Sequence, residues 1–271
     1  APTPPNKQTP PKEILKTPPH PAGEAGKPEP CKRFLNTMVP ALPRPAPKRT
    51  VPAPKGATTA IILAGTNELS GSDFIYVEAL GGGMGASSTK DGMDGVQVHI
   101  TNTSNLPIEA MEMEYPLRIL KYELVPDSGG AGQFRGGLAI CKEIQALAPI
   151  LFSAHSDRHL VSPWGLMGGQ DGKRGRFVLN SVQPVSKCIK SKVSGVLIRK
   201  GDILRVQTAG GGGFGSPLKR EPERVQKDFV QKKISRRHAR EIYGVVFSRT
   251  GKIDQPATKL LKKKMMEDKD K

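Results

Sequence analysis

With 271 residues, a formal net charge of +17, 5% aromatic residues and three cysteines, the chain has the length for one large or two small domains. Cys31, Cys141 and Cys188 form no CxxC pair, which argues against a disulfide framework and a cysteine-rich zinc site. There is no apolar run of about 18 residues to span a membrane and no apolar secretory core behind the N-terminal lysines, so the expected setting is cytoplasmic.

Residues 1–56 hold sixteen of the 25 prolines and ten Lys and Arg against three acids. Proline fixes φ and removes a backbone donor, so this density predicts a disordered basic arm with polyproline II character. Residues 57–218 are close to neutral, with fifteen Lys and Arg against fourteen acids. They read as a β-rich domain. Thr58–Ala64 and Asp73–Leu80 predict strands, the second with Phe74, Tyr76 and Glu78 on one face and Ile75, Val77 and Ala79 on the other. A glycine bend follows, and Val96–Ile100 alternates again, turning Gln97 and His99 away from Val96, Val98 and Ile100. Ile108–Tyr115 has helical spacing that Pro116 stops. Further strands are expected at Arg118–Val125, Leu138–Ala146, Ile150–Ala154, Phe177–Leu179, Val193–Leu197 and Ile203–Thr208.

Residues 219–271 carry seventeen Lys and Arg against eight acids and read as a helical basic tail. Pro222 suits a first helical position, Ser235 a helix cap, and Val245–Phe247 an edge strand, while the lysine-rich end predicts a frayed helix. Short strands separated by Gly and Pro turns, with no long helices between them, specify a mainly antiparallel β fold with a C-terminal helical segment. The charge excess lies at the two ends. Nucleic-acid binding needs cations gathered on a folded groove with stacking aromatics, so nucleic acid is not an expected partner.

Two glycine motifs resemble dinucleotide loops, Gly81-x-Gly83-x-x-Ala86 and Gly210-x-Gly212-x-x-Gly215. Neither feeds directly into a helix, as a phosphate site requires, and no GxxxxGK[ST] is present. His155 and His159 have i, i+4 spacing, but Arg158 beside them opposes a cation. His99 is the stronger candidate, accompanied by Asp91, Asp94, Thr101 and Asn102. A carboxylate, an imidazole and an amide near a glycine bend suit binding of a small polar substrate or orientation of a water. The same residues also suit a hydrogen-bonded strand and turn, and the pattern weighs the two readings equally.

YVEALGGGMGASSTKDGMDGVQVHITNT, EYPLRILKYELVPDSGGAGQFRGG, SDRH, PWGLMGG, TAGGGGFGSPLKREPERVQKDF and AREIYGVV occur in this order over roughly Ala53 to Asp254. Together they resemble the C-terminal half of the hydantoinase B/oxoprolinase family, which includes subunits of N-methylhydantoinase, 5-oxoprolinase and acetone carboxylase. The resemblance implies a subunit, or C-terminal part, of an ATP-dependent cyclic-amide hydrolase acting with a hydantoinase A-like nucleotide-binding partner. It implies a small cyclic amide as substrate. ATP and a divalent metal are expected elsewhere in the assembly, with a separate metal-bearing subunit as a further partner and no cofactor bound by this chain. Carried onto this sequence, the motif positions make His99 and Asp94 the catalytic candidates and Gly81, Gly82, Gly83, Asp91 and Asn102 the substrate-binding ones. The alternatives are a non-catalytic structural subunit of a hydantoinase- or ketone carboxylase-type complex and, on charge alone, a basic nucleic-acid-associated protein.

Overall fold

β-Branched and aromatic residues alternating with smaller or polar ones make Thr59–Thr66 and Asp73–Leu80 the first two strands, β1 and β2. In this computed structural model, which describes residues 38, 50–56, 58–68, 70–98, 103–180 and 186–268, they pair antiparallel in continuous register from Thr59↔Leu80 to Thr66↔Asp73. The other strands are β3 (Leu117–Leu124), β4 (Ile140–Ala146), β5 (Ile150–His155), β6 (Arg176–Leu179), β7 (Lys187–Ile189), β8 (Lys192–Ile198) and β9 (Ile203–Gln207). One sheet has the order β2-β1-β5-β8 and the other β3-β4-β9-β6-β7. The registered pairs within both sheets are antiparallel.

The sheets share one apolar core. Ile61, Leu63, Phe152 and Ile198 enter it from the first sheet, and Leu117, Ile144, Phe177, Leu204 and Val206 from the second. Phe152 meets Phe177 edge-on with ring centroids 5.7 Å apart, the aromatic geometry that the ring quadrupoles favour.

Beside this sandwich lies a layer of glycine-rich segments with Gly210–Gly213 at its centre. Gly211 N–H donates to Gly137 O at 2.9 Å and Gly211 O accepts from Gly130 N–H at 2.8 Å. Gly212 does the same with Ala53 O and Ala86 N–H, and Gly213 with Gln170 O and Leu166 N–H. Successive residues therefore pair with different neighbouring segments, unlike a strand, whose bonds lie in one sheet. A Cβ on Gly211 would strike Met84 O, and one on Gly83 would strike Gly137 O and Gly211 N. Neither has a positive φ, so the requirement here is space.

Four α-helices occur among the described residues: α1 (Ile108–Glu114), α2 (Pro222–Val230), α3 (Arg236–Glu241) and α4 (Gln255–Glu267). Pro222 opens α2, and Ser235 Oγ caps α3 by accepting from His238 N–H at 3.0 Å. Val225, Ile234, Ala239, Tyr243, Val245 and Phe247 form a second apolar core that includes Ala131 of the β-rich part. Mainly antiparallel β structure with a C-terminal helical segment is thus the fold that the patterns specify.

Several local expectations change. Of Val96–Ile100, Val96 forms an isolated bridge with Gly82 and residues 99–100 lie outside the described residues, as does most of the proline-rich arm. Val245–Phe247 is no strand; Phe247 forms a single bridge with Ile253. Over Gln255–Glu267 the lysine-rich end is a regular helix, because Asp254 caps it at Ala257 N–H, Thr258 is buried, and Lys262 Nζ donates to Arg220 O at 2.7 Å. Strand β7, three residues long, has too short a run for its alternation to register.

Candidate functional site

The predicted site residues fall into two neighbourhoods. In the first, the loop bearing Asp91 and Asp94 meets cations brought by the C-terminal segment. Arg220 donates to the two Asp91 carboxylate oxygens at 2.8 and 2.9 Å, Arg224 donates at 3.0 Å, and the Arg135 main-chain N–H at 2.7 Å. Asp94 accepts from Arg135 Nη1 at 3.0 Å and Leu138 N–H at 2.8 Å, and pairs with Lys233 at 2.9 Å. Asp228 joins the two halves by accepting from Arg220 Nη2 at 2.6 Å and pairing with Arg135 Nε at 3.6 Å.

Burial alone would raise both aspartate pKa values. Hydrogen bonds and charge from Arg220 outweigh it at Asp91, and those from Arg135 and Lys233 at Asp94, so both carboxyls lie below their usual range. A carboxylate held this way stays ionised at neutral pH and has its lone pairs occupied. Its chemistry is that of a clamp fastening residues 91–94 to residues 220–233. An open cleft of about 640 Å³ lies over the clamp, and Lys227 and Gln231 complete its rim.

The second neighbourhood follows the edge of β2. Gly82 exchanges two main-chain bonds with Val96, at 2.9 and 2.8 Å. A Cβ on Gly81 would strike Gly95 O, so the bend can come this close only without side chains. Gln97 Nε2 then donates to Ala79 O at 2.8 Å, and its Oε1 accepts from buried Lys55 Nζ at 3.0 Å. Lys55 also donates to Leu80 O. His99 and Asn102 lie outside the described residues. On the far side of residues 99–102, Asn105 Nδ2 donates to Glu78 Oε1 at 2.6 Å. Both flanks of that polar segment are therefore bonded to β2, at Ala79 and Glu78.

Glu78 is buried, and Lys142 Nζ reaches its two oxygens at 2.9 and 2.7 Å. Tyr76 lies beside them with its hydroxyl buried. Burial, then the Glu78 charge, pushes its pKa up. A cleft of about 510 Å³ opens along this edge, lined by Tyr76, Glu78, Thr103, Asn105 and Tyr115 among others.

Lys55, Glu78, Lys142 and Asn105 are polar residues that the motif reading passed over. Glu78 had a signal, since its alternation places a carboxylate on the same face as Phe74 and Tyr76. Lys55 had none, lying in a proline-rich stretch read as solvated. Neither glycine bend is a phosphate cradle, because neighbouring backbone fills the space beside Gly83 and Gly211. No group of three His, Cys, Asp or Glu among the described residues has metal-binding geometry. No described helix is long and apolar enough to cross a membrane.

A family model described as hydantoinase B/oxoprolinase matches residues 4–217, reaching well into the proline-rich arm. The caprolactamase subunit beta of Pseudomonas jessenii is 30% identical over 241 residues, which is 84% of this chain and 41% of that one. 5-Oxoprolinase 1 of Arabidopsis thaliana is 40% identical over 145 residues, 54% of this chain and 11% of that one. Among solved structures, the ATP-dependent caprolactamase from Pseudomonas jessenii matches with a TM-score of 0.70 and 25% identity, over 82% of this chain and 40% of that chain. The chain spans about two fifths of the length of the curated relatives that match most of it.

Proposed function

Because the chain belongs to the hydantoinase B/oxoprolinase family, we propose that it is a subunit, or the C-terminal part, of an ATP-dependent cyclic-amide hydrolase acting with a hydantoinase A-like nucleotide-binding partner. The observation that carries this reading is the family match over residues 4–217, joined to the fold match with the ATP-dependent caprolactamase. In this reading nucleotide and metal are held elsewhere in the assembly, in the cytoplasm, and this chain supplies one wall of the substrate site.

The wall is the β2 edge and the segment beside it. Gln97 and Asn105 anchor the stretch that carries His99 and Asn102, and these two supply the imidazole and amide for orienting a small polar ring and the attacking water. Gly81 and Gly82 allow residues 95–96, which lead into that stretch, to come close to the end of β2. Asp91 and Asp94 act at one remove, holding the loop that leads to residue 99.

The purified chain is to be combined with a nucleotide-binding partner and assayed with a hydantoin, 5-oxoproline or caprolactam. The expected result is ADP release coupled to ring opening only when this chain is present. Equal turnover without it would sink the proposal. A second reading, a non-catalytic structural subunit, draws on the saturation of Asp91 and Asp94 by cations. The variant His99→Ala separates the two: at least a hundredfold lower turnover with unchanged melting fits the site wall, on the usual 10²–10⁴ range for a general acid or base, whereas intact turnover with lower melting fits the scaffold.

A further inference from the structure

The outer face of the β2-β1-β5-β8 sheet breaks the pattern its inner face obeys. An antiparallel sheet with one face on a core normally turns polar residues to water on the other. Here Ile75 is 68% exposed, Val77 63%, Leu197 57%, Leu151 48% and Ile62 36%. The strand registers place them together. Ile75 lies opposite Ala64, Ala64 opposite Leu151, and Leu151 opposite Leu197, a straight apolar row across four strands. Val77 opposite Ile62 makes a second row two residues along. At about 4.8 Å between strands, the first row runs roughly 15 Å. Scattered exposed apolar side chains need no explanation, but a contiguous patch in register marks a contact surface.

We infer that this face is the docking surface for the part of the family polypeptide that lies outside the matched span, whether joined to this chain or supplied separately. The argument for that occupant is length. The caprolactamase structure shares this fold over 82% of this chain but over only 40% of its own, so most of that polypeptide packs outside the shared region. An apolar face left open by a partner that comes and goes is a standing liability for association. A covering polypeptide that is always present removes it and gains high effective concentration when joined. The inference rests on family membership and holds whether or not the chain opens cyclic amides.

The test uses the remainder of the Pseudomonas jessenii caprolactamase subunit beta as a separate polypeptide, its folding established first by circular dichroism and a cooperative melt, and hydroxyl-radical footprinting, which labels exposed apolar side chains directly. In the isolated full chain, Ile75, Leu151 and Leu197 are expected to be labelled. Adding the remainder should protect them, with affinity falling at least tenfold in Ile75→Lys and Leu151→Lys and unchanged in Leu120→Lys, an exposed position on the other sheet. Circular dichroism confirms that each variant is folded. Failure of the remainder to bind, or binding insensitive to the two lysine variants, would overturn the inference. So would protection already present in the isolated chain: if removed by deleting residues 1–49, those residues are the occupant, and if removed by dilution, a second copy is.

Discussion

Inside the sandwich, neighbouring segments meet through side chains, with Phe152 on Phe177 and Ile61, Leu63 and Leu204 around them. Around Gly211 they meet through main chain, and the nearest atoms to an added Cβ are backbone carbonyl oxygens, Met84 O at Gly211, Trp164 O at Gly212 and Ala131 O at Gly213. Both interiors are closely packed, but they fail differently. A side-chain core can shift rotamers to absorb a change of shape, so volume-conserving swaps usually cost under about 1.5 kcal/mol. A main-chain core has no rotamers, and each bond it loses leaves a buried amide or carbonyl unsatisfied.

The largest effect expected from that difference is at the centre of the glycine layer. Gly211→Ala places a methyl on Met84 O and threatens the bonds to Gly137 and Gly130. It should cost more than about 4 kcal/mol, at the exceptional end for single substitutions, or prevent folding. Phe152→Leu in the sandwich should cost far less, about 1–2 kcal/mol. Urea unfolding of the two variants compares them. A Gly211→Ala protein as stable as Phe152→Leu would erase the distinction between the layers.

Each layer also has its own buried charges, which sharpen the contrast. In the sandwich, Glu78 and Lys142 have side chains 4% and 1% exposed and pair at 2.7 Å. Glu78→Gln leaves the lysine buried without its counter-charge and should cost about 3–5 kcal/mol. The double variant Glu78→Gln with Lys142→Met should recover most of that loss, because what destabilises is the orphaned charge. Thermal unfolding of the single and double variants decides it; equal melting for both would mean that the orphaned charge is not what destabilises.

At the glycine layer's margin the charges are nearer to water, and their signature is a pH dependence. Asp91 and Asp94 have folded pKa values below the unfolded value of about 3.9. Their stabilisation is therefore fully present above about pH 4 and is lost as pH falls through the folded values. His238 and His159 act earlier. Burial lowers both pKa values against the opposing charges of Asp127 and Asp157, respectively, so the unfolded chain gains protons first and stability declines from about pH 6.5 downward. Melting temperature followed from pH 7 to 3 should show both phases, and Asp94→Asn should weaken only the lower one. A lower phase unchanged in that variant would show that the clamp does not govern acid stability.

The sandwich was the legible part because its side chains alternate. β2 reads directly from DFIYVEAL, and the buried Tyr76 and exposed Ile75 occupy the opposite faces that period two predicts. The glycine layer was legible only as bends, since a segment without side chains has no periodicity, and nothing local announces that Gly83 faces Gly137 and Gly211. The clamp was half legible. DGMDG drew attention to Asp91 and Asp94, but their partners Arg220 and Lys233 lie more than a hundred residues away in a segment read as a helical basic tail. Its charges looked like surplus because the acids they answer are in the loop, so composition by segment concealed the pairing.

The smallest effect expected lies at another glycine, and it separates two reasons for needing one. Gly71 closes the β1–β2 hairpin with φ of 69°, its N–H donating to Asn67 O at 2.8 Å, and an added Cβ would meet nothing among the described residues within 4 Å. Here the requirement is backbone conformation, and space is plentiful. Gly71→Ala should therefore cost only about 1–2 kcal/mol, the penalty for an L-residue in the left-handed region, or a few degrees of melting temperature. D-Alanine introduced at position 71 by semisynthesis favours positive φ and should restore the loss. At position 211, where φ is not positive, D-alanine should not behave as a conformational rescue. A full restoration by D-alanine at 211 would mean that its glycine is conserving a backbone angle, and that the main-chain interior is less tightly closed than its hydrogen bonds indicate.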